Sequence, residues 1–300
     1  MRTITDHDLA RASWFHTPSS VALALFPESP EDLPALRDLI GARPYAVIGR
    51  GSNVLFAEPR YEAAFVFMTR YRGLRAGPGR RLACRAGEPL PAVLRALRKK
   101  GWGGMEDLTG IPGTVGGAVR MNAGAFGDCM AEHVVTVEAF DLARGARRAA
   151  AAADGLFSYR RQHFLGPDEI VESVVLAGFG RGYDAARARA VARRRREAIP
   201  SRPNCGSVFR NPPSGPAGRL LDGWGAKGYA VGGARVSCEH ANIIENTGGA
   251  TGRDVLRLIR RLQALARRRA GVALEPEIAI LTRASLRRLG GVAGTADKGA

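Results

Sequence analysis

Two glycine-rich loops constrain this chain more than any other feature. The first reads Gly49-Arg50-Gly51-Ser52-Asn53. The second reads Gly110-Ile111-Pro112-Gly113-Thr114-Val115-Gly116-Gly117-Ala118 and is followed by Met121-Asn122-Ala123-Gly124-Ala125. Glycine lets a backbone approach a ligand closely and adopt positive φ. Successive N–H groups in such turns form a concave anion site that needs no lysine. A pyrophosphate is the natural guest. One such loop reads as well as a tight structural turn, whereas two, each abutting a strand, favour phosphate. The first loop begins like a dinucleotide fingerprint, but Val54-Leu55-Phe56 continues as a strand rather than a helix, which argues against a Rossmann site.

The loops sit in the first two of three blocks, at residues 1–60, 61–183 and 199–283. In the first, Ser29-Pro30 opens a helix with Leu33, Leu36, Leu39 and Ile40 as its apolar stripe. Strands follow at Tyr45 to Ile48 and Val54 to Phe56. The second block has strand candidates at Ala64 to Met68, Arg81 to Ala86, Val134 to Asp141 and Ile170 to Ala177. Pro89 opens a helix between them with Leu90, Val93, Leu94 and Leu97 on one face. A linker helix, Asp184 to Ala198, leads to the third block, and its run Arg193 to Arg196 reads as a solvated face. Thr251 and Asp254 form a capping-box-like pair ahead of Val255, Leu258, Ile259, Leu262 and Leu265, with Gly271 as the stop. A strand is expected from Val272 to Leu281, and residues 284–300 read as a disordered tail.

Composition narrows the function classes. The net charge of +17 invites a nucleic-acid reading, but lysine occurs only at positions 99, 100, 227 and 298. The remaining positive charge is arginine, spread along the whole chain as in a compositional bias. Only 7% of residues are aromatic, so base-stacking platforms are scarce, and no nucleic-acid signature is present. The charge favours a small anionic substrate such as a nucleotide sugar. No apolar run is long enough to span a bilayer, and the first residues lack a signal-peptide core, which points to the cytoplasm. Cys84, Cys129, Cys205 and Cys238 show no metal or redox spacing and read as reduced side chains. No obligate protein partner and no metal are expected.

Taken together, Gly51-Ser52-Asn53, Gly110 to Ala125, Tyr159-Arg160, Cys205-Gly206-Ser207-Val208-Phe209-Arg210-Asn211-Pro212 and Leu274-Glu275-Pro276-Glu277 resemble the UDP-N-acetylenolpyruvoylglucosamine reductase family. Gly232-Gly233-Ala234, Val236-Ser237 and His240-Ala241-Asn242 are also similar to it. The resemblance implies an α+β chain: an FAD-binding fold of the vanillyl-alcohol oxidase type in two subdomains, plus a C-terminal α+β substrate domain. It implies non-covalent FAD, NADPH as electron donor, and reduction of the enolpyruvyl ether of UDP-N-acetylglucosamine to UDP-N-acetylmuramate, a peptidoglycan precursor. Flavin contacts are expected from Gly49, Gly51, Ser52, Asn53, Gly110, Ile111, Pro112, Gly113, Thr114, Gly116, Gly117, Ala118, Asn122 and Gly124. The chain departs from the family pattern in several places. Trp14-Phe15-His16-Thr17-Pro18-Ser19-Ser20 stands where a Gly-Gly pair is usual. Gln162 and Ile199 replace a serine and a glutamine, and Arg210 replaces a lysine. These differences bear on flavin affinity and substrate grip.

The chemistry implied by the resemblance needs three kinds of group. Hydride addition to an enolpyruvyl ether leaves enolate-like charge that must be stabilised, and the adjacent carbon must receive a proton. Arg160 fits the stabiliser, because a guanidinium can grip the carboxylate. Glu277 matches the family's catalytic glutamate, with Glu275 competing two residues away on the same face of a strand. Ser207 fits the proton donor, or serves as a turn serine after Gly206. Tyr159 and Arg210 are expected to bind substrate. Asn211 either hydrogen-bonds substrate or caps the turn ended by Pro212, and His240 is expected to make a structural hydrogen bond. Two other readings compete: a flavin oxidase or dehydrogenase on the same fold, and a nucleotide-binding module without flavin.

Overall fold

The first sheet starts with two strands that the sequence pattern leaves unassigned. In the computed structural model, which describes residues 1–152 and 155–289, β1 (Arg2–Asp8) and β2 (Ser20–Phe26) form an antiparallel pair. β1 is mostly exposed and charged, as suits an edge strand, and so shows no clean alternation. β3 (Tyr45–Ile48) and β4 (Val54–Phe56) lie where expected. β5 (Arg60–Phe67) then inserts between β2 and β3, parallel to both. β5, read from the sequence as part of the second block, therefore belongs to the first sheet. β5 is buried on both faces along Ala63–Phe67, and that is the environment a central parallel strand requires.

The first helix is shorter than its stripe suggests. The Asp32 carboxylate accepts from the Glu28 and Ser29 amides, but Pro30–Asp32 is only a 3-10 turn. The α-helix α1 (Ala35–Ile40) begins after Pro34, which has no N–H to extend the turn. Leu33, Leu36 and Ile40 are buried, whereas Leu39 points outward at 36% exposure.

The second sheet runs Ala146–Ala151, Val134–Asp141, Glu169–Leu176, β7 (Arg81–Arg85) and β6 (Leu74–Gly77), antiparallel throughout. α2 (Leu90–Lys100) buries Leu90, Val93 and Leu97 and ends at Gly101 in the left-handed region, φ 68°. α3 (Val115–Arg120) lies inside the glycine-rich segment, capped by Thr114. A single core joins this sheet to Leu33, Leu36 and Ile40, so the first two units share their interior.

α4 (Ala185–Ala198) is the linker helix, and the Asp184 side chain accepts from the Arg187 amide at 2.8 Å. Arg193, Arg194 and Arg196 are exposed as expected, but Arg195 turns inward. The third unit holds α5 (Ala217–Gly223), a small antiparallel sheet of Ala230–Val231, Ala234–Val236 and Ile244–Asn246, and α6 (Gly252–Ala270). Thr251 and Asp254 form the expected capping box, and Gly271 takes φ 64°. Val255, Leu258, Ile259, Leu262 and Leu265 are buried. Each contributes about 1.5–3 kcal/mol by leaving water.

The last strand is only Ala279–Leu281, not Val272 to Leu281, and it pairs in parallel with β4. Phe15 and Leu55 enter the same core as α6, so the chain's end closes on its beginning. Residues 284–289, expected to belong to a disordered tail, are ordered. Arg287 exchanges backbone hydrogen bonds with Tyr45, at 2.7 and 3.2 Å, which holds residues 284–289 against β3. Residues 290–300 lie outside the described residues.

Candidate active site

The fold brings the two glycine loops into contact. A Cβ at Gly49 would sit 2.5 Å from Thr114 Oγ1, and one at Gly113 would sit 3.0 Å from Ser52 Oγ. Gly51 has φ 64°, and a Cβ there would lie 1.7 Å from the Ala12 carbonyl oxygen. Gly51→Ala is expected to lower stability by roughly 2 kcal/mol or more, since left-handed strain and a backbone clash add. A thermal unfolding midpoint equal to that of the unsubstituted protein would contradict this. Among the described residues, the N–H groups of Gly51, Ser52, Asn53, Gly113 and Thr114 donate to no protein acceptor. They form a cradle of unsatisfied donors of the kind a phosphate occupies.

The rest of the second loop is used internally. The Val115 amide donates to Glu88 O at 2.8 Å and the Gly116 amide to Ala86 O at 2.9 Å. A Cβ at Gly116 would meet the Ala86 side chain at 2.8 Å, so this glycine allows close packing on the strand. The Gly117 amide donates to Thr114 Oγ1 and the Ala118 amide to Thr114 O. The Ile111 amide donates to Leu108 O. Gly116, Gly117 and Ala118 therefore shape the loop, and their amides are not available to an anion. Asn122, at φ 42°, donates to Ser158 O and accepts from the Ala131 amide. Its side chain braces the segment that carries Arg160. Beside Gly49 and Arg50 lies a cavity of about 450 Å³, lined also by Trp14, Arg2, Arg11 and Arg70.

Arg160 and Glu277 meet across the seam between the second and third units. Arg160 Nε donates to Glu277 Oε1 at 2.9 Å, and its Nη2 donates to Gly124 O at 2.8 Å. Arg160 has φ 56°, a strained conformation for a side-chain-bearing residue and one that clusters at functional sites. Its guanidinium lies 5.1 Å from the Tyr159 ring centroid. Asn53 Nδ2 donates to the Glu277 carbonyl at 3.1 Å, which ties the first glycine loop to the same carboxylate residue. Burial pushes the Glu277 pKa above the ordinary carboxylate value, against the opposing pull of Arg160 and Arg210.

Glu275 and Glu277 do not share an environment, contrary to the strand reading. Residues 272–278 form no regular strand. The Glu275 side chain is 71% exposed and lies 3.7 Å from Arg210, whereas that of Glu277 is 17% exposed. The Ser207–Phe209 segment is held from both sides. Val208 O accepts from the Glu277 amide at 2.7 Å, and the Asn242 side chain both donates to Phe209 O and accepts from its amide. Asn242 is thus a positioning residue, visible in the sequence only as part of a family-like motif. The Gly206 amide donates to Asn204 Oδ1 at 2.9 Å, so it is engaged elsewhere than at Ser207. Arg210 Nη2 donates to Arg160 O at 3.4 Å. Asn211 Oδ1 accepts from the amide of Ala217, the first residue of α5. His240 Nδ1 accepts from the Asn242 amide, a structural hydrogen bond as expected.

Comparisons with known proteins fall on these same segments. Residues 198–281 match the family model described as UDP-N-acetylenolpyruvoylglucosamine reductase, C-terminal domain, and residues 21–150 match an FAD binding domain. A UDP-N-acetylenolpyruvoylglucosamine reductase from Moorella thermoacetica is 37% identical over 285 residues, covering 93% of each chain. One from Synechococcus sp. (strain WH7803) is 40% identical over 265 residues, covering 84% of each. The crystal structure of the reductase from Thermus caldophilus superimposes with a TM-score of 0.76 at 31% identity, over 94% of this chain and 98% of that one. The α+β architecture, an FAD-binding fold in two subdomains followed by a C-terminal α+β domain, is the one expected from the motifs.

Proposed function

This chain belongs to the UDP-N-acetylenolpyruvoylglucosamine reductase family, and from that we propose that Arg160, Glu277 and Ser207 carry the reduction of an enolpyruvyl nucleotide sugar at bound FAD, with NADPH as electron donor. The observation that carries the reading is the Arg160–Glu277 pair at the seam, held by Gly124 O on one side and by Asn53 on the other.

The residues present fit FAD. Among the described residues, the contacting glycine loops leave five N–H groups without protein acceptors, as a pyrophosphate requires; a side chain at 49 or 51 would clash, and position 113 has φ 109°, which favours glycine. Bound FAD supplies the hydride. Arg160 stabilises the charge that grows on the substrate's carboxylate as its double bond is reduced. Glu277 holds the Arg160 guanidinium in place and, being pushed toward its protonated form, can share a proton at the same locus. Ser207 gives its hydroxyl proton to the substrate carbon that has become anionic. Arg210 and the exposed ring of Tyr159 bind the substrate's anionic groups and sugar, while Asn211 shapes the turn beneath them. Among the described residues no helix is long and apolar enough to cross a membrane. We place the reaction in the cytoplasm, where its nucleotide-sugar substrate is made.

The purified protein is expected to be yellow and to release FAD on denaturation. Anaerobic NADPH should bleach it, and the enolpyruvyl nucleotide sugar should restore the colour. A colourless protein that takes up no added FAD would overturn the reading. So would recolouring no faster with substrate than without it.

A further inference from the structure

The mechanism above leaves the inward-facing Arg195 unused. Arg195 Nε is buried and has no hydrogen-bond partner, and among the described residues no carboxylate pairs with Arg195. Its position is built rather than accidental. The fully buried Glu106 carboxylate accepts from the Gly104 amide, the Asp184 amide and Arg181 Nη2, and Arg187 Nε donates to Asp107 at 2.6 Å. These bonds pin the start of α4 beside the segment that leads into the second glycine loop. About three turns further along the helix, Arg195 lies against Gly110. A Cβ at Gly110 would stand 3.1 Å from Arg195 Cδ and 3.3 Å from its Nε. Glycine at 110 therefore makes room for this side chain.

The charges around it do not balance. Arg210 Nη2 donates to Arg160 O, Arg195 lies close enough to feel the Arg160 charge, and Arg210 Nε is likewise buried without a partner. Among the described residues, the carboxylates paired with Arg160 and Arg210 are Glu277, at 17% exposure, and the largely exposed Glu275. Burial, and next to it the nearby Arg160 charge, press Arg195 below its ordinary pKa. An uncompensated buried charge is costly, and it persists where a ligand compensates it.

We propose that Arg195 is a third anion-binding guanidinium of the reducing site, set against Gly110 by α4 to hold an anionic oxygen brought by a bound reactant. The inference rests on the functional reading above. The oxygen belongs either to FAD or to the enolpyruvyl nucleotide sugar, and two titrations separate these sources. One follows FAD binding to flavin-stripped protein by flavin fluorescence. The other follows the flavin absorbance of the oxidised holoprotein as the enolpyruvyl nucleotide sugar is added. Arg195→Met keeps the aliphatic stem and removes the charge. It is expected to weaken one of the two affinities by about tenfold or more, the scale of a lost charge-assisted hydrogen bond. Weaker FAD binding alone assigns the oxygen to FAD, and weaker substrate binding alone assigns it to the substrate. Arg195→Lys should recover part of the loss, which a purely space-filling role would not require. If Arg195→Met fails to fold by circular dichroism, Arg195→Gln takes its place. A folded uncharged variant with both affinities unchanged would overturn the proposal. A natural-sequence protein that binds no FAD would instead overturn the functional reading on which it rests.

Discussion

Ser207→Ala is expected to leave NADPH-driven bleaching of the flavin nearly intact and to slow recolouring by substrate by ~10²–10⁴-fold, the range for loss of a positioned proton donor. A serine hydroxyl is a weak acid, so it gives up a proton only where neighbouring charge supports the oxygen left behind. The Gly206 amide is committed to Asn204 and cannot provide that support. Arg210, three residues on and anchored through its amide to Glu275 O, is the nearest cation on the same segment. The segment itself is rigid, clamped by Asn242 on one side and by the Glu277 amide on the other. A loss of rate in Ser207→Ala thus reports on the missing hydroxyl and not on a collapsed turn. Ser207→Cys should recover part of the rate, because a thiol is a proton donor of similar size. Stopped-flow absorbance separates the two half-reactions. Normal recolouring in Ser207→Ala would make Ser207 a turn residue only, and slow bleaching would point to a defect at the flavin.

Arg160→Ala and Glu277→Gln are each expected to reduce substrate turnover by ~10²–10³-fold, the usual cost of removing one stabiliser of charge that develops in the transition state. Bleaching by NADPH should change far less in both. The two variants differ in what they leave behind. Without Arg160, the Glu277 carboxylate loses its hydrogen-bond partner and the larger of the two cationic pulls on it, keeping that of Arg210, while its backbone stays tied to Asn53 and Val208. Without the Glu277 charge, Arg160 keeps Gly124 O and the Tyr159 ring. Glu277 also sets a pH dependence. Its pKa is raised in the folded protein, so the native state retains a proton that the unfolded chain has lost above the ordinary carboxylate value. Its contribution to stability is present at low pH and declines as pH rises through the raised value. Glu277→Gln should lack that decline in a series of thermal melts. Turnover near that of the unsubstituted enzyme in either variant would remove the residue from the mechanism, and for Glu277 would shift attention to the exposed Glu275.

Local chemistry in the chain already specified a good part of this molecule. The capping pair Thr251 and Asp254, the stop at Gly271 and the stripe from Val255 to Leu265 are short-range signals, and α6 follows them closely. The glycine loops announced an anion cradle for the same reason, since positive φ at Gly51, Gly110 and Gly113 is a property of single residues. Family-like motifs singled out Arg160, Ser207 and Glu277. What local sequence could not carry is which distant groups meet. β5 looked like the start of a second unit because its burial on both faces comes from β2 and β3, far away in the chain. Strand alternation put Glu275 on the same face as Glu277, but the segment leaves strand geometry and only Glu277 meets Arg160. Gly116 and Gly117 looked like ligand contacts, yet their amides are taken by Ala86 and Thr114. Nothing in a run of four arginines distinguishes Arg195. Only the packing of α4 on Glu106 and Asp107 places it against Gly110. Dihedral preference, capping and periodicity act over a few residues and are therefore written in the sequence. Hydrogen-bond partners, burial and charge balance at the seam depend on residues more than a hundred positions apart, as with Arg160 and Glu277, and only the closed tertiary structure decides them.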